Sequence, residues 1–173
     1  MRTVILILPD MILKINKSNK IIAVDSTLDE IVQNTLRIRG PKCDLNFIDT
    51  SRVTRMSLLF SFTDFVGDIS EWDVSNVTDM FGMFNNSKFS GDISKWNTGN
   101  VKSMSCMFEN SEFNGTIGGW DVRNVTDMSR MFNRNFIFSD DSIENWKLNR
   151  NCSTRKTFSN NSALVKLPSW YQP

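Results

Sequence analysis

The chain contains no histidine. That removes the commonest general base, the commonest nitrogen ligand for transition metals, and every Ser-His or Cys-His nucleophile pair. Cysteine is scarce. Cys43, Cys106 and Cys152 form an odd set without a CxxC spacing, which argues against a disulfide framework or a zinc site and leaves buried thiols as the reading. No charge of either sign dominates: Lys+Arg total 20 against 19 Asp+Glu, a net +1, so there is no global electrostatic case for nucleic acid or an anionic membrane. The apolar run Val4–Leu8 is cut short by Pro9 and Asp10 and has no small-residue cleavage site after it. It is too short to span a bilayer and reads as a buried strand, so no compartment is assigned from it. From these absences we assign no catalytic residue, no metal ligand and no cofactor, and we expect no enzyme.

Phenylalanine, methionine and tryptophan are plentiful, at 13, 9 and 5 residues against one tyrosine. Their positions explain the imbalance. Trp72, Trp96 and Trp120 are 24 residues apart, and Trp146 and Trp170 continue the row after a two-residue insertion. Phe60, Phe84, Phe108, Phe132 and Phe158 form a second row. Met56, Met80, Met104 and Met128 form a third; Leu59, Met83, Met107 and Met131 a fourth; Phe65, Phe89 and Phe113 a fifth. A fixed period of this length marks a repeat architecture, in which no unit buries its own apolar face and stacked neighbours make a continuous core.

Each unit divides into two halves. Ile69, Trp72, Val74 and Val77 lie at offsets 0, 3, 5 and 8, the spacing of a leucine-rich-repeat strand segment. Val77, Met80 and Phe84 then recur at i, i+3 and i+7, the period of a short helical stretch, with Ser75, Asn76 or Thr78 as its cap. The fold expected is therefore α/β: a right-handed solenoid like the leucine-rich repeats, with parallel strands on one face, short helical turns on the other, and about six rungs starting near residues 45, 69, 93, 117, 143 and 167. We expect one continuous domain: an N-terminal cap over 1–44, the repeats over 45–162, and a truncated rung with its cap over 163–173. Within the N-terminal cap, Met11–Asn16 and Ile21–Val24 read as a hairpin. Ser26 reads as the N-cap of a helix with Leu28, Ile31, Val32, Thr35 and Leu36 on one face, ended by Gly40-Pro41.

The unit Gly67-Asp-Ile-Ser-Glu-Trp-Asp-Val-Ser-Asn-Val-Thr-Asp-Met80, continued by Met83-Phe84, resembles the BspA-like leucine-rich-repeat family. The match is close over about residues 45 to 135 and looser to 173. The resemblance implies protein–protein binding, adhesion or contact with a host-derived protein as the usual role. The signal segment or lipobox of that family's surface members is not visible in this sequence.

Repeated aspartates (Asp68 and Asp92, Asp73 and Asp121, Asp79 and Asp127) raise a stacked calcium ladder, but Thr116, Asn97 and Ser103 interrupt it, so turn and cap duty is the better reading. Asn76-Val-Thr78, Asn114-Gly-Thr116 and Asn124-Val-Thr126 match a glycosylation acceptor pattern that a turn-rich repeat produces unaided. Gly115-Thr-Ile-Gly118-Gly119 lacks the GKS of a phosphate loop. The candidate binding surface is instead the outward side of the strand halves. We single out Glu71, Asp73, Lys95, Asn97, Asp121, Arg123, Glu144 and Lys147 as partner-binding residues. The function expected is a non-catalytic scaffold for an unidentified protein partner, with no nucleic acid and no membrane span. The alternative is a structural component of a larger assembly, such as a phage particle or an envelope layer.

Overall fold

The computed structural model describes residues 14–172. The strand expected at Val4–Leu8 and the start of the expected hairpin at Met11 lie outside the described residues. What is described of the hairpin is short: β1 (Lys14–Ile15) pairs antiparallel with β2 (Ile21–Ile22), and Asn16 Oδ1 closes the turn by accepting from Ser18 N and Lys20 N. β2 then pairs in parallel with β3 (Ile48–Asp49), Ile21 opposite Ile48.

Between β2 and β3 runs α1 (Asp25–Arg39). The helix starts one residue before the expected Ser26 cap. Val24 is the boundary residue, and its N–H donates to Thr27 Oγ1 at 3.1 Å. Asp25 reaches away from the helix and accepts from the N–H and hydroxyl of Thr54, tying α1 to the first repeat. Leu28, Ile31, Val32 and Thr35 are its buried face. Gly40, at φ 79°, ends it with an N–H bond to Leu36 O, a conformation that a Cβ would disfavour.

From residue 44 onward equivalent residues of successive repeats lie side by side. Parallel bridges join Arg55 to Asp79, Asp79 to Ser103, Ser103 to Asp127 and Asp127 to Ser153. Apart from a parallel bridge between Asp44 and Asp68 at its leading edge, this pairing falls after the segment expected to be the strand. In Ile69–Val77 the backbone bends instead: Trp72 N–H returns to Ile69 O and Val77 N–H to Val74 O. Side chains impose part of the bend, because Asp68, Asp73 and Asp79 each accept from the N–H two residues on, at 2.9, 2.9 and 3.0 Å. The aspartates are turn-formers.

The second half is not helical either. Residues 81–86, and their equivalents in each repeat, form a run of consecutive turns. Met83 N–H bonds Met80 O and Asn85 N–H bonds Gly82 O, so apolar side chains return every third or fourth residue without a helix. The backbone enters the left-handed region twice per repeat, at Leu58 and Phe62, Gly82 and Asn86, Cys106 and Asn110, Arg130 and Arg134, and Lys156 and Asn160.

The aromatic rows form the core. Phe60, Phe84, Phe108, Phe132 and Phe158 stack with centroids 5.6, 5.6, 5.6 and 5.5 Å apart. Phe65, Phe89 and Phe113 run beside them, and Phe138, which the period alone does not pick out, extends that row. Gly67, Gly91 and Gly115 lie under these rings; a Cβ on Gly91 would sit 2.8 Å from the Phe89 ring. Each tryptophan ties its repeat to the one before. Trp72 Nε1 donates to Leu45 O, Trp96 to Ile69 O, Trp120 to Ile93 O, Trp146 to Ile117 O and Trp170 to Ile143 O. The two-residue insertion is taken up by a 3-10 turn over Asp141–Asn145, which Asp140 caps while also accepting from Ile117 N and Gly118 N.

Candidate functional site

The eight residues expected to bind a partner fall in aligned rows, but they differ in how free they are. Asp73, Asn97, Asp121 and Lys147 occupy one row. Asp73 and Asn97 are engaged in turns through Ser75 N and Gly99 N. Asp121 accepts a forked pair of bonds from Arg123, Nη2 to Oδ2 at 2.7 Å and Nε to Oδ1 at 2.9 Å. The Arg123 side chain and backbone N–H together hold the Asp121 carboxyl down to about 2. Glu71 pairs with Lys20 at 3.1 Å, linking the face to the hairpin. Glu144 accepts from Ser169 N at 2.7 Å, which keeps its carboxyl below the ordinary range and pins the last residues. Among the described residues, Lys147 makes no hydrogen bond or ion pair, and Lys95 makes no direct one but acts through its charge on Asp92. Glu71 and Lys95 share one shallow depression with Ser70 and Asp92. Lys147 stands apart from it.

The asparagines of the acceptor-like patterns have structural work. Asn76 and Asn124 donate their side-chain amides to Ser51 O and Gly99 O of the preceding repeat, as Asn100, in the same row but outside any such pattern, does to Ser75 O. Asn114 Oδ1 accepts from Ser139 N. An amide donor that satisfies a backbone carbonyl accounts for these positions without a glycan.

The turn side holds what the sequence reading missed. Glu109 is only 7% exposed, yet it is charged. Burial pushes its carboxyl up, and bonds from Arg130, Asn133 and Cys106 outweigh that and hold it below the ordinary range. Arg130 contacts Glu109 Oε1 through both Nη2 and Nε, and Asn133 Nδ2 donates to the same oxygen at 2.6 Å. The pair is built across neighbouring repeats, so only their alignment reveals it. The three thiols are half-buried and unpaired, and burial raises each of them, Cys152 to about 11.

The turns also align the backbone. Leu58, Gly82, Cys106 and Arg130 donate their N–H to Phe81, Ser105, Ser129 and Arg155 O. Phe60, Phe84, Phe108 and Phe132 donate to Met83, Met107, Met131 and Thr157 O, and Phe62, Asn86, Asn110 and Arg134 to Asn85, Glu109, Asn133 and Ser159 O. All these bonds run the same way, N–H toward the later repeat. The sequence signal for this geometry is faint: Gly82, Asn86, Asn110 and Asn160 suit left-handed positions, but Leu58, Phe62 and Arg130 share them.

Among the described residues no group of side chains suited to holding a metal ion occurs, and no helix is long and apolar enough to cross a membrane. No curated protein and no solved structure matches the chain. One family model does, over residues 27–146 and again over 109–171, overlapping as successive repeats would. These spans take in all but the first two residues of α1 and every repeat on which the aromatic rows are built, and the chain belongs to the family described as Mycoplasma protein of unknown function, DUF285.

Proposed function

We propose that the chain is a BspA-like, leucine-rich-repeat-like solenoid and acts as a non-catalytic scaffold that holds a protein partner on the outward side of its Trp-bearing segments. The observation that carries this reading is the separation of duties along each repeat. Trp72, Trp96, Trp120 and Trp146 are at most 5% exposed and lock the repeats together, while the residues beside them, Glu71, Lys95 and Lys147 among them, are less buried. A stacked core that stays the same while neighbouring surface residues differ from repeat to repeat is how repeat proteins build extended binding surfaces. The sequence has no histidine, the commonest general base, which supports the non-catalytic reading.

The rival reading, a component that assembles end to end, is disfavoured by α1. Gln33 Nε2 donates to Leu59 O, the carbonyl that an incoming repeat would need.

The test is capture on immobilised full-length chain from extracts of the source organism, in parallel with the triple variant E71A/K95A/R123A. The reading expects a discrete protein retained by the parent chain and lost from the variant at an unchanged melting temperature. Equal retention by both would refute the face named here.

A further inference from the structure

We propose that the turn run of the last repeat, residues 154–160, binds an acidic segment of a partner protein through its backbone carbonyls and carboxylates, at a site distinct from the Trp-side face. Three hydrogen-bonded columns run through the repeats with every N–H pointing toward the last one. In a sheet such peptide dipoles largely cancel. Within these three columns they add, although flanking bonds such as Thr78 N–H to Thr54 O and Lys102 N–H to Thr78 O run the other way, so the partial positive charge is local to the turn run that presents free N–H groups. That end consists of the Lys156, Phe158 and Asn160 N–H groups, which have no partner among the described residues.

Cations gather at the same place. Arg134, Arg155 and Lys156 have no acidic partner among the described residues, and of the neighbouring cations Arg130 has one, Glu109. Their equivalents in earlier repeats are neutral. Leu58, Gly82 and Cys106 precede Arg130 and Lys156; Phe62, Asn86 and Asn110 precede Arg134; Ser57, Phe81, Ser105 and Ser129 precede Arg155. The repeat itself therefore has no need of charge here. Arg134 and Lys156 also occupy left-handed backbone, at φ 57° and 58°, where asparagine or glycine is less strained. Leu58, Phe62 and Cys106 share this backbone in earlier repeats, so what sets Arg134 and Lys156 apart is their charge. Arg134 and Lys156, with Arg130, Asn133, Ser159 and Asn160, line one open polar depression.

The occupant follows from the donor pattern. Upstream, the acceptors are carbonyls of alternate residues, such as Arg155, Thr157 and Ser159. A partner segment offering alternate carbonyls, as Arg155, Thr157 and Ser159 do to the repeat before them, would take up the Lys156, Phe158 and Asn160 N–H groups, and its carboxylates would meet Arg134, Arg155 and Lys156. A second copy of this chain is a poor fit, because α1 covers its first repeat and Gln33 holds the Leu59 carbonyl. Trp170 and Tyr171 close the apolar end over Trp146 and Phe158, so the surface left to a partner is polar and cationic.

The experiment uses the full chain with a fluorescein-labelled peptide alternating Asp with Val, a matching Lys–Val peptide, and a single-stranded oligonucleotide of equal charge. Anisotropy should report binding of the acidic peptide alone, weakened by salt. Amide exchange should slow at Lys156, Phe158 and Asn160 in the complex. The variant R134N/R155S/K156G, built from residues found in the earlier repeats, should lose affinity by about tenfold or more without a fall in melting temperature, while E71A/K95A/R123A should bind as the parent does. The proposal is overturned if those amides stay unprotected in the complex, if the cation variant binds unchanged, or if the oligonucleotide binds as well as the peptide.

Discussion

The indole N–H of Trp96 donates to the carbonyl oxygen of Ile69 at 3.3 Å, across 27 residues and into the preceding repeat. The indole is 4% exposed and stacks on Trp120 with centroids 6.4 Å apart. One side chain thus fills the core and satisfies a carbonyl of the repeat before it. Trp96→Ala should destabilise the chain by about 3–5 kcal/mol through the cavity. Trp96→Phe keeps most of the apolar area but strands the Ile69 carbonyl, and should cost about 1–3 kcal/mol. Urea titration of both variants checks the order and the gap between them.

Acid should expose the role of the turn carboxylates. Bonds from Ser70, Ser94 and Arg123 hold Asp68, Asp92 and Asp121 below the ordinary value of 3.8, and Glu109 lies below its ordinary 4.5 against the opposing effect of burial. A carboxyl depressed in the folded state stabilises fully above its unfolded value, and that stability is lost as the pH falls through the folded one. Stability should be flat from neutrality to about pH 5 and then decline. Glu109→Gln should weaken the fold at pH 7 and remove part of the decline below pH 4.5. Thermal melts from pH 7 down to pH 3 read both effects, and an unchanged slope in the variant would mean that Glu109 is not depressed.

Gly91 lies beneath the Phe89 ring, where a Cβ would meet ring carbons at 2.8 and 2.9 Å. Its φ is not in the left-handed region, so the constraint is one of space alone. Gly91→Ala should therefore cost about 1–3 kcal/mol as the Phe89 ring is displaced. Gly119, where a Cβ would meet no atom within 4 Å, should accept alanine without loss. The paired melting temperatures make the comparison.

Arg134 stands at φ 57°, in the place that Asn86 and Asn110 hold in earlier repeats. Arg134→Asn should raise stability by about 0.5–1 kcal/mol, because asparagine tolerates left-handed backbone better. The same change should weaken acidic-peptide binding. Stability and affinity moving in opposite directions would mark a residue kept for binding; a loss of both would mean that the Arg134 side chain supports the fold.

The period, the aromatic rows and the buried face of α1 are all legible in the order of the residues. Large apolar side chains recur wherever burial does, so Trp72, Trp96 and Trp120 announce themselves at 24-residue spacing. The aspartates, too, are readable as turn-formers, since a short side chain that bends its own backbone acts locally.

The backbone between those side chains is not legible in the same way. Met80, Met83 and Phe84 satisfy a helical period and a run of turns equally well, and the choice lies with left-handed residues that need not be glycine. Nor does spacing say that Glu109 and Arg130 meet, or that every N–H of the turn columns points one way. Those features depend on which groups of neighbouring repeats come within hydrogen-bond reach. A side chain's need for burial is written in its own chemistry, whereas a backbone group's partner is chosen only when the repeats are set against one another.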